Sequence, residues 1–268
     1  MNLTVSIAQM KVAVSRPDEN LEKTETFIAE AAKRGSNLIC FPEMWTTGFD
    51  WNYLRQASAE HETYIERVAG LARRYGIWVN GSLPESTVTG KVANTSILFD
   101  PSGTRAGVYR KTHLFSLLHE NDHLCAGNSL TTAETPWGTV GLSICYDIRF
   151  PEVFRSYALR GARMVLSPIA FPHPRLEHWR ILSRARAIEN QMFLVGVNRV
   201  GGEDFGANGP VTYFGNSAVI DPWGRTVLEA GETEEALLTA DIDLRQADEV
   251  RSRMRVLEDR RPEVYQLD

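Results

Sequence analysis

The chain has 268 residues, of which 43% are hydrophobic and 24% charged, and a formal net charge of −5. This is the composition of an ordinary globular protein with enough chain for one large core or two small ones. The lack of a basic block excludes nucleic acid and acidic membrane as main partners. Three widely spaced cysteines, Cys40, Cys125 and Cys145, form no Cys-x-x-Cys pair and so predict neither a disulfide framework nor a zinc knuckle.

The N-terminus reads as a strand rather than a signal peptide, because it lacks a basic start and a long apolar core. No segment approaches the roughly 18 uninterrupted apolar residues of a membrane span. A cytoplasmic, reducing location is expected. Leu3 to Ala8 alternates and is rich in β-formers, which predicts the first strand. Pro17-Asp18 opens a helix in which Leu21, Thr24, Phe27, Ile28 and Ala31 fall at three- and four-residue steps, and Gly35 stops it. A buried strand from Asn37 to Phe41 ends in Pro42-Glu43. This β-α-β unit puts an acid just past the carboxyl end of a strand, the edge where open α/β sheets bind ligands.

Tyr64 to Tyr75 repeats the helical period, and Gly76 leads into a strand from Ile77 to Gly81. A hairpin follows, from Asn94 to Phe99, through Asp100-Pro-Ser-Gly103, to Ala106 to Arg110, with Lys111 directly after it. The stretch from His113 to Asn128, which contains Glu120, reads as an irregular polar loop. Thr139 to Ile144 reads as the strand that delivers Cys145, and Val153 to Leu159 as a helix capped by Gly161. In the second half a helix is expected over Trp179 to Asn190 and a strand over Phe193 to Val197.

The second half echoes the first. Arg34-Gly35 through Phe41-Pro42 aligns with Arg160-Gly161 through Ser167-Pro168, and Ser96 through Asp100-Pro101-Ser-Gly103 aligns with Ser217 through Asp221-Pro222-Trp-Gly224. Two matches in the same order indicate an internal duplication. Two similar mixed sheets packed face to face, each covered outside by two helices, would bury both faces of the short apolar strands. The expected fold is therefore a four-layer α-β-β-α sandwich with an internal pseudo-two-fold repeat, a single domain over 1–268. Its arginine- and acid-rich tail, from about 245, would be either a solvated helix or an arm docked on a second subunit.

Glu43, Lys111 and Cys145 occupy comparable places just after apolar strands. A carboxylate, an ammonium and a thiol are the parts needed for acyl transfer without histidine. The thiolate is the nucleophile, Glu43 could take its proton, and Lys111 with the backbone N–H of Tyr146 could hold the oxyanion. Each residue type also has an ordinary use. Glu and Lys after strands are commonly solvated, and a cysteine ending a buried strand packs as a small hydrophobe.

Three dispersed phrases bear on this choice: Phe41-Pro42-Glu43; Tyr109-Arg110-Lys111-Thr-His113-Leu-Phe115; and Cys145-Tyr-Asp-Ile-Arg-Phe-Pro-Glu152. His178-Trp179 followed by Arg184-Ala-Arg-Ala-Ile-Glu-Asn190 adds a fourth. Over nearly its full length the chain resembles the nitrilase superfamily of carbon–nitrogen hydrolases. The phrase after Cys145 resembles that of the ω-amidase-like branch. The resemblance implies a Glu-Lys-Cys triad at Glu43, Lys111 and Cys145, a second glutamate at Glu120 that orients the lysine and substrate, and a dimer formed through the outer helices. It also implies hydrolysis of terminal amides of small dicarboxylate monoamides such as 2-oxoglutaramate, with no cofactor and no metal. One departure stands out: related ω-amidases carry a Thr-rich loop where this chain has Phe171-Pro-His-Pro-Arg175.

Phe115, Tyr146 and Phe171 are candidate pocket residues, or filling for the sandwich. Arg149 is a candidate clamp for a substrate carboxylate, with Asp147 or Glu152 as its alternative structural partners. His119 and His123 flank Glu120, but no further ligand completes a metal site, and loop polarity explains them more simply. The rival functions are an N-carbamoyl amide hydrolase or nitrilase on the same triad, a non-catalytic scaffold that kept the fold, and a redox sensor using an exposed thiol.

Overall fold

β1 (Asn2–Gln9) alternates as its sequence suggests, and Pro17, at the first turn of α1 (Pro17–Lys33), starts a helix whose Leu21, Thr24, Ile28 and Ala31 are buried. The computed structural model describes residues 2–206 and 209–265. Gly35, at φ +77°, takes the left-handed conformation that ends α1 and turns the chain into β2 (Leu38–Cys40). The first half continues through α2 (Trp51–Gln56), α3 (His61–Tyr75), β3 (Trp78–Ser86), β4 (Val92–Phe99) and β5 (Arg105–Arg110). A short helix α4 (Glu120–His123), β6 (Thr132–Thr135) and β7 (Gly138–Leu142) follow. The second half then runs through α5 (Pro151–Leu159), β8 (Met164–Pro168), α6 (Leu176–Asn190), β9 (Phe193–Val197), β10 (Val200–Asp204), β11 (Pro210–Phe214), β12 (Ala218–Ile220), β13 (Thr226–Glu229), β14 (Ala236–Asp243) and α7 (Arg245–Arg253).

Among the described residues there are two six-stranded sheets, ordered β14-β1-β2-β3-β4-β5 and β6-β7-β8-β9-β12-β13. From the β14 and β6 edges inward, both sheets pair antiparallel, parallel, parallel, antiparallel, antiparallel. The expected pseudo-two-fold repeat is thus present strand for strand. β1, β2 and β3 correspond to β7, β8 and β9. α1 and α3 cover the first sheet through Leu21, Ile28, Ile65 and Val68, and α5 and α6 cover the second through Val153, Phe154 and Trp179. Leu3, Val5, Ile7 and Leu38 from one sheet share a core with Leu142, Leu166 and Val195 from the other, which makes the four layers expected from the sequence.

The repeat reaches single residues. Gly81 on β3 stands opposite Ile97, and Gly196 on β9 stands opposite Ala218, equivalent positions in the two sheets. Each glycine seats a tryptophan on the helix-covered face: a Cβ at Gly81 would lie 2.4 Å from the Trp45 ring, and one at Gly196 2.2 Å from that of Trp179. Both indoles are also satisfied as donors, Trp45 Nε1 to Thr24 Oγ1 (3.0 Å) and Trp179 Nε1 to Asn216 O (2.8 Å).

Several elements differ from the sequence expectation. The strand before Cys145 stops at Leu142, and the loop expected over 113–128 contains α4. β6, the β10–β11 hairpin and β14 are additional. β14 pairs with β1 along its whole length, from Asn2↔Asp243 to Gln9↔Ala236, so the last strand closes the first sheet. The tail helix α7 docks on its own chain: Ala247 and Val250 are buried, Asp248 pairs with Arg163 Nε (2.9 Å), and Arg251 donates to Ala162 O (2.6 Å). The final three residues of the expected tail lie outside the described residues.

Candidate active site

Glu43 follows β2 through Phe41-Pro42, and its N–H donates to Ile169 O across the junction of the two halves (3.2 Å). Its Oε1 accepts from Asn94 Nδ2 (2.8 Å) and from Lys111 Nζ (2.8 Å). Lys111, just beyond β5, is fixed by its backbone, donating to Asn94 O (2.9 Å) and accepting from Gly127 N (2.8 Å). Asn94 therefore holds the lysine by its carbonyl and the glutamate by its amide. Lys111 Nζ donates a second bond to Glu120 Oε1 (2.8 Å), and Glu120 Oε2 accepts from Phe115 N (2.8 Å). Glu120 opens α4, preceded by His119 at φ +59°.

Glu43, Lys111 and Glu120 are 1%, 1% and 2% exposed, so three charges sit where ions are costly unless paired and hydrogen-bonded. Burial opposes the Lys111 charge, but the carboxylates of Glu120 and Glu43 outweigh it and hold the ammonium well above its ordinary value. Burial pushes Glu120 up, with Lys111 opposing and Glu43 adding to the rise.

Past β7 the chain breaks from the sheet. Ser143 N still reaches Leu166 O (3.0 Å), and Cys145 then adopts φ +43° at the start of a one-turn 3₁₀ segment over 145–149. A non-glycine residue in the left-handed region carries backbone strain, as in the nucleophile elbow of other hydrolases. Cys145 is 8% exposed, so the exposed thiol that a redox sensor would use is not present. The Glu43 carboxylate and the Ala170 N–H both act on its thiol. Burial pushes the thiol well above its usual value, and Glu43 adds to this against Lys111 and the Ala170 N–H. The resting sulfur is a protonated thiol with its base already in contact.

Asp147 braces this turn against the lysine strand. Fully buried, it accepts from Ile144 N (2.8 Å) and Tyr109 OH (2.7 Å) through Oδ2, while its Oδ1 lies 2.7 Å from His113 Nδ1 and 3.2 Å from Thr112 Oγ1. One carboxylate thus binds the elbow to the residues on both sides of Lys111. Asp147 is therefore not a partner of Arg149, and Glu152 is not one either. Among the described residues no carboxylate lies within ion-pair distance of that guanidinium, whose Nη2 sits 3.3 Å from His178 Nδ1.

The thiol opens into a small pocket lined by Phe115, Tyr146, Arg149, Phe171 and Arg175, with Ala170 beside the sulfur. The Arg149 guanidinium lies over the rings of Phe171 (5.3 Å) and Tyr146 (5.9 Å). The loop carrying Phe171 and Arg175 is held by Asn198, whose Oδ1 accepts from Phe171 N (2.9 Å), and by β11, where His173 N donates to Thr212 O (2.9 Å). All eight sequence candidates, Glu43, Lys111, Glu120, Cys145, Phe115, Tyr146, Arg149 and Phe171, come together here. His119 and His123 lie apart: His119 faces Asp122 (3.0 Å), and His123 stacks on Trp51 (4.8 Å between centroids). Cys40 is buried in the core and Cys125 half-buried in a loop. Sequence reading misses Asn94, the Ala170 N–H, Arg175 and the bracing role of Asp147. Only Asp147 and Arg175 lie within phrases it singles out.

Residues 4–252 match the family model for carbon-nitrogen hydrolase. The chain is 35% identical to 2-oxoglutaramate amidase from Bacillus subtilis (strain 168), over 99% of this chain and 100% of that protein. It is 32% identical to the omega-amidase NIT2 of Mus musculus, over 98% of this chain and 97% of that protein. Among solved structures it resembles a mutant amidase from Nesterenkonia sp. AN1 that shows covalent addition of the acetamide moiety of fluoroacetamide at the active site cysteine. The TM-score is 0.87 at 29% identity, covering 98% of this chain and 95% of that chain.

Proposed function

The chain belongs to the carbon–nitrogen hydrolase family, and from that premise we propose that it is an amidase that releases ammonia from small amides through a cysteine thioester. The observation that carries this reading is Lys111 Nζ, held 2.8 Å from both Glu43 and Glu120, beside a buried thiol on which Glu43 acts.

The Glu43 carboxylate takes the S–H proton of Cys145 as the sulfur attacks the amide carbon, so the thiolate exists only during bond formation. Two of the three Lys111 protons are spent on carboxylates, and the third faces the developing oxyanion together with the Tyr146 N–H. Tyr146 is second in the 3₁₀ turn, where the first N–H groups have no intrahelical acceptor. A positioned donor of this kind contributes about 3 kcal/mol of transition-state stabilisation. Glu43 returns its proton to the leaving nitrogen, ammonia departs and a thioester remains. Water, deprotonated by Glu43, then attacks the thioester carbon, and the sulfur leaves and regains its proton as the acid is released. Two moderate barriers replace one high one. Glu120 keeps Lys111 charged and aimed.

The substrates proposed are terminal amides of dicarboxylate monoamides, 2-oxoglutaramate among them. The names of the two relatives support this choice, as does Arg149 in the pocket, which has no carboxylate partner among the described residues. A homodimer through the outer helices fits the exposed Ile181 (62%) and Ile188 (47%) of α6, with Trp223 (45%) in the β12–β13 turn. The cytoplasm suits an enzyme that depends on a free thiol. Residues 1–268 are read as one catalytic domain.

Cys145→Ala and Cys145→Ser are expected to lower ammonia release from glutaramate by at least about a thousandfold. Intact-mass spectra of quenched wild-type enzyme should show the acyl adduct. Near-wild-type turnover in either variant would overturn the mechanism. Carbon dioxide released with the ammonia would instead indicate a carbamoyl substrate, and nitrile turnover a nitrilase.

A further inference from the structure

One charged group in the pocket has no part in the proposed chemistry. Arg175 precedes α6, is half-buried, and places its guanidinium over the Phe115 ring (5.5 Å). Its side-chain hydrogen bond is a long one, from Nη1 to His173 O (3.5 Å). No carboxylate among the described residues comes within ion-pair distance of it. The neighbouring helix shows that this is local: Arg180 pairs with Glu177 and Glu232, and Arg186 pairs with Glu189.

Arg149 lines the same pocket, also without a carboxylate. Two guanidiniums against aromatic walls repel each other in a medium of reduced dielectric, and an anion between them removes that repulsion. Guanidinium presents a fixed fork of donors that matches carboxylate geometry, and it stacks on aromatic faces, as both of these do. The lysine cannot substitute, because its two carboxylate partners already neutralise it.

We propose that Arg175 is the second arm of a two-guanidinium clamp for the anionic far end of the substrate, and that it sets this enzyme's preference for amides ending in a carboxylate over neutral amides of equal length. The proposal rests on the amidase reading for its catalytic consequence, but not for the binding of the anion.

Two measurements test it. In the first, calorimetry follows glutarate binding to Cys145→Ala and to Cys145→Ala/Arg175→Ala. Loss of a charge-assisted arm is expected to weaken binding about tenfold or more. In the second, kcat/KM is compared for glutaramate and pentanamide, the neutral amide of the same carbon-chain length. The ratio of the two should fall about tenfold or more in Arg175→Ala, mainly through KM for glutaramate, and recover in part in Arg175→Lys. A ratio and a glutarate affinity that both stay within about twofold of the parent would overturn the clamp, even if both rates drop through a general structural effect. If the wild type hydrolyses no amide, the amidase reading fails and the calorimetry alone decides the role of Arg175.

Discussion

Asp147 shows how much of this site depends on residues that never meet a substrate. Its carboxylate is the common acceptor for a backbone N–H of the cysteine turn and for side chains from the lysine strand. Asp147→Ala leaves those donors buried without an acceptor. Unfolding in urea should show a loss of about 3 kcal/mol or more. In the folded fraction kcat for glutaramate should fall with a smaller change in KM, because what is lost is the position of Lys111 relative to Cys145. An unchanged kcat would reduce Asp147 to a purely structural role. At this scale the legibility of the sequence has a physical limit. Glu43, Lys111 and Cys145 stand out because chemistry-bearing side chains directly follow apolar strands. Asn94 does not, because its role arises from a hydrogen bond to a residue 51 positions away. The Ala170 contribution is a backbone N–H and has no side-chain signature at all.

At the scale of elements, helix periods and glycine stops locate α1, α3, α5, α6 and most central strands, because their burial is local in pattern. Edge and hairpin strands escape, β6, β10, β11 and β14 among them. β14 is only partly buried for most of its length, so it lacks the apolar run that marks β2 or β9. β10 and β11 form a separate two-stranded hairpin with mixed burial. The paired glycines Gly81 and Gly196 are equally silent in the sequence, since a glycine in a strand can mark a bulge as well as a close approach. Gly196→Ala should cost about 1–3 kcal/mol by forcing the Trp179 ring from its seat, read as a lower urea midpoint with an unchanged slope. Gly81→Ala should behave alike against Trp45. A neutral result at both positions would mean that the indoles are not held as closely as 2.2 and 2.4 Å imply.

At the scale of the molecule, stability should depend on acidity through His61, fully buried at the start of α3 with Nδ1 3.0 Å from Ser86 Oγ. Burial pushes its pKa down from 6.5 to about 4. The folded state therefore resists protonation more than the unfolded chain does. The His61 contribution is complete above pH 6.5 and is lost as pH falls toward about 4, an amount of about 3 kcal/mol. His61→Phe should flatten the pH dependence of urea unfolding between pH 7 and pH 4.5, and an unaltered slope would count against the assignment. The duplicated sheets carry a further consequence, best put in terms of ancestry and division of labour. By register, the counterpart of Glu43 in the second half is Ile169, and the counterpart of Cys145 in the first is Met10, both fully buried. One copy has kept the acid and the cation, the other the nucleophile, and each has surrendered the remaining place to packing. A chain assembled from two first halves would hold two proton acceptors and nothing to attack with; one assembled from two second halves would hold two thiols that nothing could activate. The duplication supplies a scaffold twice over, but the reaction only once.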